Sequence, residues 1–290
     1  MTLMNCPLCG GSRLKKFLGT KNSAIVRCPA CGFMFREPYT GCGAAKCAAC
    51  SDRCMDHLED PAFLEARLRV DGERVSRIKK LTGKALPDLK VLELGTGLGC
   101  LASLLAGSAG GYLGTEPSPV FYSLQHKNFS ELSGKIIRTI LPGPEYEDSF
   151  DLMVAVDVLQ FTEKPLGFAA KAKKLLKKGG LVYLEVPNES LLRLRARVRK
   201  TLGLYRGEPV HHGHINFFTS KSLRYLLENA GLHIETLGQT SIAGDPDRLF
   251  LTLKRKLPLY LKAFSTFAGL TKADLPLGLG NTVCVASKRT

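Results

Sequence analysis

The stretch Val91–Ala106 reads VLELGTGLGCLASLLA. A short apolar run ends at Leu94, glycines follow at alternate positions (Gly95, Gly97, Gly99), and a helical run comes directly after. Glycine permits positive φ and lets a ligand touch bare main chain. A strand, a glycine turn and a helix in that order mark the ligand edge of a doubly wound sheet. Dinucleotide folds use G-x-G-x-x-G here, to seat a pyrophosphate on the helix N-terminus. This chain has G-x-G-x-G instead, with Thr96 inside the turn and Glu93 just before it. A carboxylate there repels a pyrophosphate and suits a ligand with an ammonium group and no phosphate. Glu116 ends the next strand candidate, where a carboxylate can grip two ribose hydroxyls; Pro117 follows it.

Outward from this turn the chain alternates. Strand-like runs fall at 91–94, 112–116, 135–140, 150–156, 181–186, 233–237 and 282–287, and helical runs at 99–106, 118–127, 164–178 and 220–230. That alternation predicts an α/β, Rossmann-like, doubly wound sheet of seven strands. No full crossover helix separates the final two strands, so the last strand is expected to be antiparallel. Upstream, Leu64, Leu68, Val75, Ile78 and Leu81 recur at near-helical spacing and predict a helix leading into the main domain.

The ten cysteines are unevenly placed, eight of them at or before Cys54. Cys6, Cys9, Cys28 and Cys31 form two C-x2-C knuckles, each followed by glycine (Gly10, Gly32). Four thiolates at this spacing predict a zinc ribbon, whereas a redox pair would show a single C-x2-C beside a βαβ unit. A second cluster, Cys42, Cys47, Cys50 and Cys54, has small residues between its cysteines. It is a candidate for a second metal, zinc before iron–sulfur, or a linker that binds nothing. The join between modules runs from about Glu37 to Pro61. Residues 1–60 therefore read as a zinc-ribbon, Cys-rich module, and residues 61–290 as the main domain.

The 290 residues carry a net charge of +15, with 44% hydrophobic residues. An excess of this size favours an anionic partner or a well-solvated basic surface. Residues 1–11 have no apolar core, so no signal peptide is expected. No window offers the apolar run of about 18 residues that a transmembrane helix needs. A cytoplasmic location is expected, with peripheral contact at the inner membrane surface as a variant.

The motifs ELGTGLG, GTEPS (114–118), FDLMVAVDVLQF (150–161) and LLKKGGLVYLEVPN (175–188) occur in order. Together they resemble a class I S-adenosylmethionine-dependent methyltransferase over about residues 90–188. The wider arrangement resembles bacterial methyltransferases with an N-terminal zinc ribbon. Many of that group act on sugars or on intermediates of surface-glycan and secondary-metabolite pathways. HHGHINFFTSKSLRYLLENAGL (211–232) resembles that group's downstream motif. The resemblance implies that Gly95, Thr96, Gly97 and Gly99 face the methionine part of S-adenosylmethionine, with Glu93 near its ammonium. It implies that Glu116 and Pro117 hold the ribose, and that Asp157, Val158 and Leu159 line the methyl-transfer path. Asp157 also reads as a turn or cap residue. Relatives often have Glu-His where this chain has Gln160-Phe161. An acid for the adenine amine is unplaced, with Glu145, Glu147 and Asp148 as candidates.

A hydroxyl or carbon-acid acceptor needs a base, and histidine titrates in the right range. His211, His212 and His214 crowd between the fifth strand and the next helix, at the ligand edge, with His214 nearest the FFT turn. Each is a candidate base or phosphate contact, or a ring packed in a loop. Two insertions reach the same edge, at about 189–210 and 239–280. The first carries Arg193, Arg197 and Lys200 beside an apolar face. They read as a basic lid over the cofactor mouth, or as ordinary amphipathic helices. The expected acceptor is a small, anionic molecule, a nucleotide-linked or lipid-linked sugar. The alternatives are a zinc-ribbon ribosomal-RNA methyltransferase and a non-catalytic cofactor-binding scaffold. Oligomeric state is open.

Overall fold

The structure, a computed structural model, describes residues 5–19, 24–37, 39, 58, 60–189, 201, 214–240 and 281–289. Its centre is a seven-stranded sheet. The strands are β4 (Lys90–Leu94), β5 (Gly111–Thr115), β6 (Ile136–Ile137), β7 (Phe150–Val156), β8 (Leu176–Val186), β10 (His233–Gln239) and β11 (Thr282–Ser287). Their spatial order is β10-β11-β8-β7-β4-β5-β6. β11 runs antiparallel to both neighbours, and the pairs from β8 through β6 are parallel. The fold is thus the α/β, Rossmann-like class, with its last strand reversed.

Strand periodicity sorts side chains onto two faces. Val91, Leu152, Val154, Tyr183, Val283 and Val285 pack against α1 (Pro61–Thr82) and α2 (Cys100–Ala106). Leu92, Leu94, Met153, Ala155 and Leu184 face the other way. They meet α4 (Pro165–Leu175) and α5 (Ser220–Asn229). α3 (Pro119–Asn128) links β5 to β6. The entry helix α1 has clear ends. Asp60 accepts from Ala62 N at 2.9 Å, Pro61 opens the first turn, and Gly83 closes it in the left-handed region.

Three elements differ most in their bounds from the sequence reading. The strand expected at 135–140 shortens to Ile136–Ile137, because β6 is an edge strand with only β5 to pair against. The helix expected over 164–178 stops at Leu175. There β8 begins early, and its ladder with β7 shifts register between Phe150 and Leu152. Gly179 takes φ +73° in this irregular start.

A smaller sheet carries the N-terminal cysteines. β1 (Lys15–Gly19), β2 (Ala24–Arg27) and β3 (Met34–Glu37) form an antiparallel meander. A fourth strand, β9 (Asn216–Phe217), joins it at β3 from far along the chain. The ribbon shares the core of the α4–α5 face, where Leu8, Phe33 and Phe35 belong to the same buried cluster as Leu92 and Leu226. The Phe33 and Phe218 rings lie 5.1 Å apart. Among the described residues, no helix is long and apolar enough to cross a membrane.

Candidate functional site

The turn after β4 is pinned from below. Gly95 N and Thr96 N donate to Thr115 O at 2.8 and 3.0 Å, and the Thr96 hydroxyl donates to Gln125 Oε1 at 2.7 Å. Gly95 takes φ +71°, and a Cβ there would stand 2.8 Å from Val158 Cγ2. Gly97, at φ +53°, is different: a Cβ would meet no described residue within 4 Å. Gly95 is therefore bare because the loop after β7 presses on it, and Gly97 faces space free of the described residues, where a ligand can lie against backbone. Gly99 packs closely on Gln125 and Phe129.

Two carboxylates flank the turn, at the carboxyl ends of adjacent parallel strands. Glu116 is buried, and its two oxygens each accept one backbone N–H, from Gly97 and from Ser118, both at 2.8 Å. A carboxylate offers about four lone-pair sites, so roughly two remain after these bonds. Burial pushes its pKa up, against the two N–H donors. Pro117 leads into Ser118, whose hydroxyl accepts from Phe121 N at 3.4 Å and caps α3. Glu93 lies on the α1 face and accepts from the Tyr112 hydroxyl at 2.7 Å. Burial, with Asp71 and Glu116 nearby, pushes it up to about 8, against Tyr112 and Arg74.

The loop after β7 closes the third side. Asp157 is held at φ +56°, a left-handed conformation uncommon outside glycine that aspartate tolerates better than most side chains. Its N donates to Glu185 O at 2.9 Å, and its carboxylate accepts from Gln160 Nε2 at 3.2 Å. Burial and the Glu185 charge push its pKa up; Arg74 and Arg67 oppose them. Val158 leads into a single 3-10 turn, Leu159–Phe161, in which Leu159 and Gln160 are buried. Gln160 Oε1 is buried with no hydrogen-bond partner among the described residues.

Beneath Glu93 and Asp157 lies a charged cluster that sequence reasoning missed. Arg74 on α1 makes two bonds to Glu185 on β8, Nε to Oε2 at 3.0 Å and Nη2 to Oε1 at 3.1 Å, and also pairs with Asp71. Tyr183 and Asn281 each donate to Glu185 at 2.9 Å, and Arg77 reaches it at 3.4 Å. Burial works to raise the Glu185 pKa, but Arg74, Asn281 and Arg77 hold it down at about 2. A signal was present. Asp71 and Arg74 interrupt the buried face of α1, and Glu185 interrupts the apolar run of β8.

His214 is half-buried. Its ring meets Phe161 edge-on at 5.1 Å and lies 6.4 Å from Phe217. His211, His212, the second cysteine cluster (Cys42, Cys47, Cys50, Cys54) and nearly all of both basic insertions lie outside the described residues. Glu145, Glu147 and Asp148 precede β7, at the sheet edge opposite the glycine turn. Glu147 there pairs with Lys174 and Asp148 with Lys288.

The first cysteine cluster is compact. The sulfurs of Cys6, Cys9, Cys28 and Cys31 all lie within 4.8 Å of one another, with Cys6–Cys31 at 3.7 Å and Cys9–Cys28 at 3.5 Å. Tetrahedral Zn–S bonds of about 2.3 Å imply sulfur edges of about 3.8 Å. The knuckles match each other, Gly10 N bonding Cys6 O and Gly32 N bonding Cys28 O, both at 2.9 Å.

A family model described as "Methyltransferase domain" matches residues 63–237. A highly reducing polyketide synthase of Calcarisporium arbuscula is 28% identical over 140 residues, which is 44% of this chain and 6% of that protein. A hybrid PKS-NRPS synthetase of Acremonium sp is 33% identical over 114 residues, 35% of this chain and 3% of that one. The chain thus spans only a small part of these curated relatives. A geranyl diphosphate methyltransferase, solved in complex with SAM, is similar with a TM-score of 0.51 at 15% identity. That match covers 81% of this chain and 95% of the other, and it shows the fold.

Proposed function

This chain belongs to the methyltransferase domain family, and from that premise we propose that it transfers a methyl group from S-adenosylmethionine to a small acceptor. The observation that carries the reading is the Glu116 carboxylate. Two backbone N–H groups fix it in orientation, and its remaining lone pairs sit beside the open backbone of Gly97. A fixed acceptor of that kind suits the two hydroxyls of a ribose. Bound S-adenosylmethionine supplies an electrophilic methyl carbon on a sulfonium. In this reading Gly97 offers bare main chain to its methionine part, Gly95, Thr96 and Gly99 hold the turn in the shape that presents it, and Pro117 closes the ribose side. Glu93, buried and protonated near neutral pH, gives up its proton when a cationic ligand arrives. Asp157, Val158 and Leu159 border the transfer path. His214 is the described candidate for the base that takes the acceptor's proton. It lies against Phe161 beside that loop.

The same reading assigns zinc to Cys6, Cys9, Cys28 and Cys31. Four thiolates leave no open ligand position, so the ion is structural and takes no part in chemistry. The acceptor we favour is anionic, a sugar nucleotide or lipid-linked sugar, in keeping with the charge of +15. The polyketide synthase relatives favour a second acceptor class, a polyketide. The test is transfer of radiolabelled methyl from S-adenosylmethionine to nucleotide sugars, acyl thioesters and a structured RNA at two salt concentrations. Label in a small acceptor, lost in Glu116→Ala, is the expected result. Label in RNA with salt-steep binding would replace the acceptor class. Cofactor binding without transfer to any acceptor would turn the reading to a scaffold.

A further inference from the structure

We propose that Asn216 is a positioning residue through which the cysteine ribbon holds the loop after β7 against the glycine turn, so that metal in the ribbon tightens the cofactor site. The last step rests on the methyltransferase reading; the link from ribbon to loop does not.

Asn216 is completely buried, in a strand of two residues. Its side-chain amide donates to Leu159 O at 2.8 Å and to Thr162 O at 2.6 Å. Its oxygen accepts from the Tyr39 hydroxyl at 2.8 Å. Next to it, Ile215 N donates to Gln160 O at 2.9 Å. Three carbonyls of the loop, those of Leu159, Gln160 and Thr162, therefore end on two adjacent residues. Within the turn Leu159 O accepts from Thr162 N at 3.3 Å, while the carbonyls of Gln160 and Thr162 are met by donors from outside it. The Leu159 side chain anchors the turn in the core, and the donors from Ile215 and Asn216 fix its backbone; losing them would leave the Gln160 carbonyl without its bond.

What holds the donors is the ribbon. Two residues cannot form a strand alone, and β9 has β3 as its sheet partner, with Phe35 opposite Asn216. Arg36 N donates to Ile215 O at 2.8 Å. β3 begins three residues after Cys31, and Cys28 N bonds Phe33 O at 2.8 Å, so the second knuckle sets the start of β3. On the far side, the loop carries Val158, which fills the space in front of Gly95. The contacts run unbroken from the knuckle through β3, Asn216 and the 3-10 turn to the glycine turn. The test measures the coupling itself.

The experiment uses the full chain loaded with zinc. Hydrogen exchange is followed in peptides covering 157–162, and S-adenosylhomocysteine affinity is measured by calorimetry. Asn216→Ala and Asn216→Asp should keep wild-type zinc content and core protection in β4 and β7. In both, the loop should exchange faster and affinity should fall by about five- to tenfold, a usual size for coupling between sites. Asn216→Asp preserves volume but turns donors into acceptors facing carbonyls, so it should be at least as harmful as alanine. A packing role would instead let it rescue. Removing zinc from the wild type by chelation should quicken the same loop; in Asn216→Ala it should add nothing there. Tyr39→Phe, which leaves every cysteine in place, should quicken the loop in the same direction by a smaller factor. Equal loop exchange in wild type, Asn216→Asp and Tyr39→Phe would overturn the proposal, as would additive effects of chelation and Asn216→Ala. A wild type that binds no S-adenosylhomocysteine would refute the methyltransferase reading alone, because the exchange arms still report on ribbon and loop.

Discussion

Glu93 and Glu116 stand at the ends of neighbouring strands, yet their surroundings treat them differently. Glu116 keeps two backbone donors, while Glu93 has one hydroxyl and is pushed up to about 8. A group whose folded pKa lies above its unfolded value of about 4.3 stabilises the fold at low pH, and that contribution disappears as pH rises to the folded pKa. The free protein should thus lose stability between about pH 4.5 and pH 8 through Glu93, and Glu93→Gln should flatten that slope in denaturant unfolding. Bringing a cation beside Glu93 favours its ionised form. Cofactor binding at pH 7 should then release a proton, seen as a difference in binding heat between buffers of unlike ionisation enthalpy. The same heat in all buffers would remove Glu93 from the cation's neighbourhood. His214→Ala is expected to lower turnover by about 10²–10⁴-fold if the ring is the base. Cofactor affinity should stay within a small factor, and unchanged turnover would return the ring to packing on Phe161. At this scale the sequence was informative. The glycines and Glu116 serve a local turn, and local geometry leaves a local pattern. Gln160 is different, because its placement depends on Asp157 taking a positive φ that no pattern announces.

Among the elements, α1 carries more than its apolar spacing implies. Val75 and Ile78 pack on the sheet as the periodicity predicts, but Asp71 and Arg74 share that buried face, and Arg74 meets Glu185 across 111 positions of sequence. Buried ion pairs stabilise little on net, yet breaking one leaves a charge stranded. Arg74→Met should therefore cost about 3–5 kcal/mol, and the double variant Arg74→Met/Glu185→Leu should recover much of that loss. Additive costs in chemical denaturation would show that the two side chains act separately. Glu185, held down at about 2, stabilises the fold above its unfolded pKa; that contribution fades as pH falls from about 4.5 towards 2. Strand and helix order were legible because apolar periods of two and of 3.6 residues are local. The charge cluster was not, because pairing across the fold has no period. The early start of β8 had no sequence signal either, since Leu175 and Leu176 suit a helix as well as a strand.

On the scale of the whole molecule, the ribbon and the α/β sheet share one core. The knuckles were plain from spacing, but their docking was not. The hydroxyl of Tyr39 meets Asn216 across 177 positions, and β9 is too short to leave a strand pattern. A consequence is that the metal should matter to the entire fold. Freshly purified protein should contain at least one zinc per chain, and two if the second cluster also binds. Stripping the metal should lower the unfolding midpoint of the whole cooperative transition, because metal binding adds to folding free energy. Elemental analysis with no zinc, and all thiols free to titrate, would contradict this.

The central claim is that the turn at Gly95–Gly99 and the carboxylate of Glu116 form a methyl-donor site. Calorimetric titration of S-adenosylmethionine into wild type, Glu116→Gln and Glu116→Ala tests it most directly. The account predicts saturable binding at one site per chain in the wild type. Losing hydrogen bonds to a charged group costs about 1.5–3 kcal/mol, so Glu116→Ala should weaken binding by about ten- to a hundredfold. Glu116→Gln should fall between the two. Absence of binding in the folded wild type, or equal affinity in all three, would contradict it.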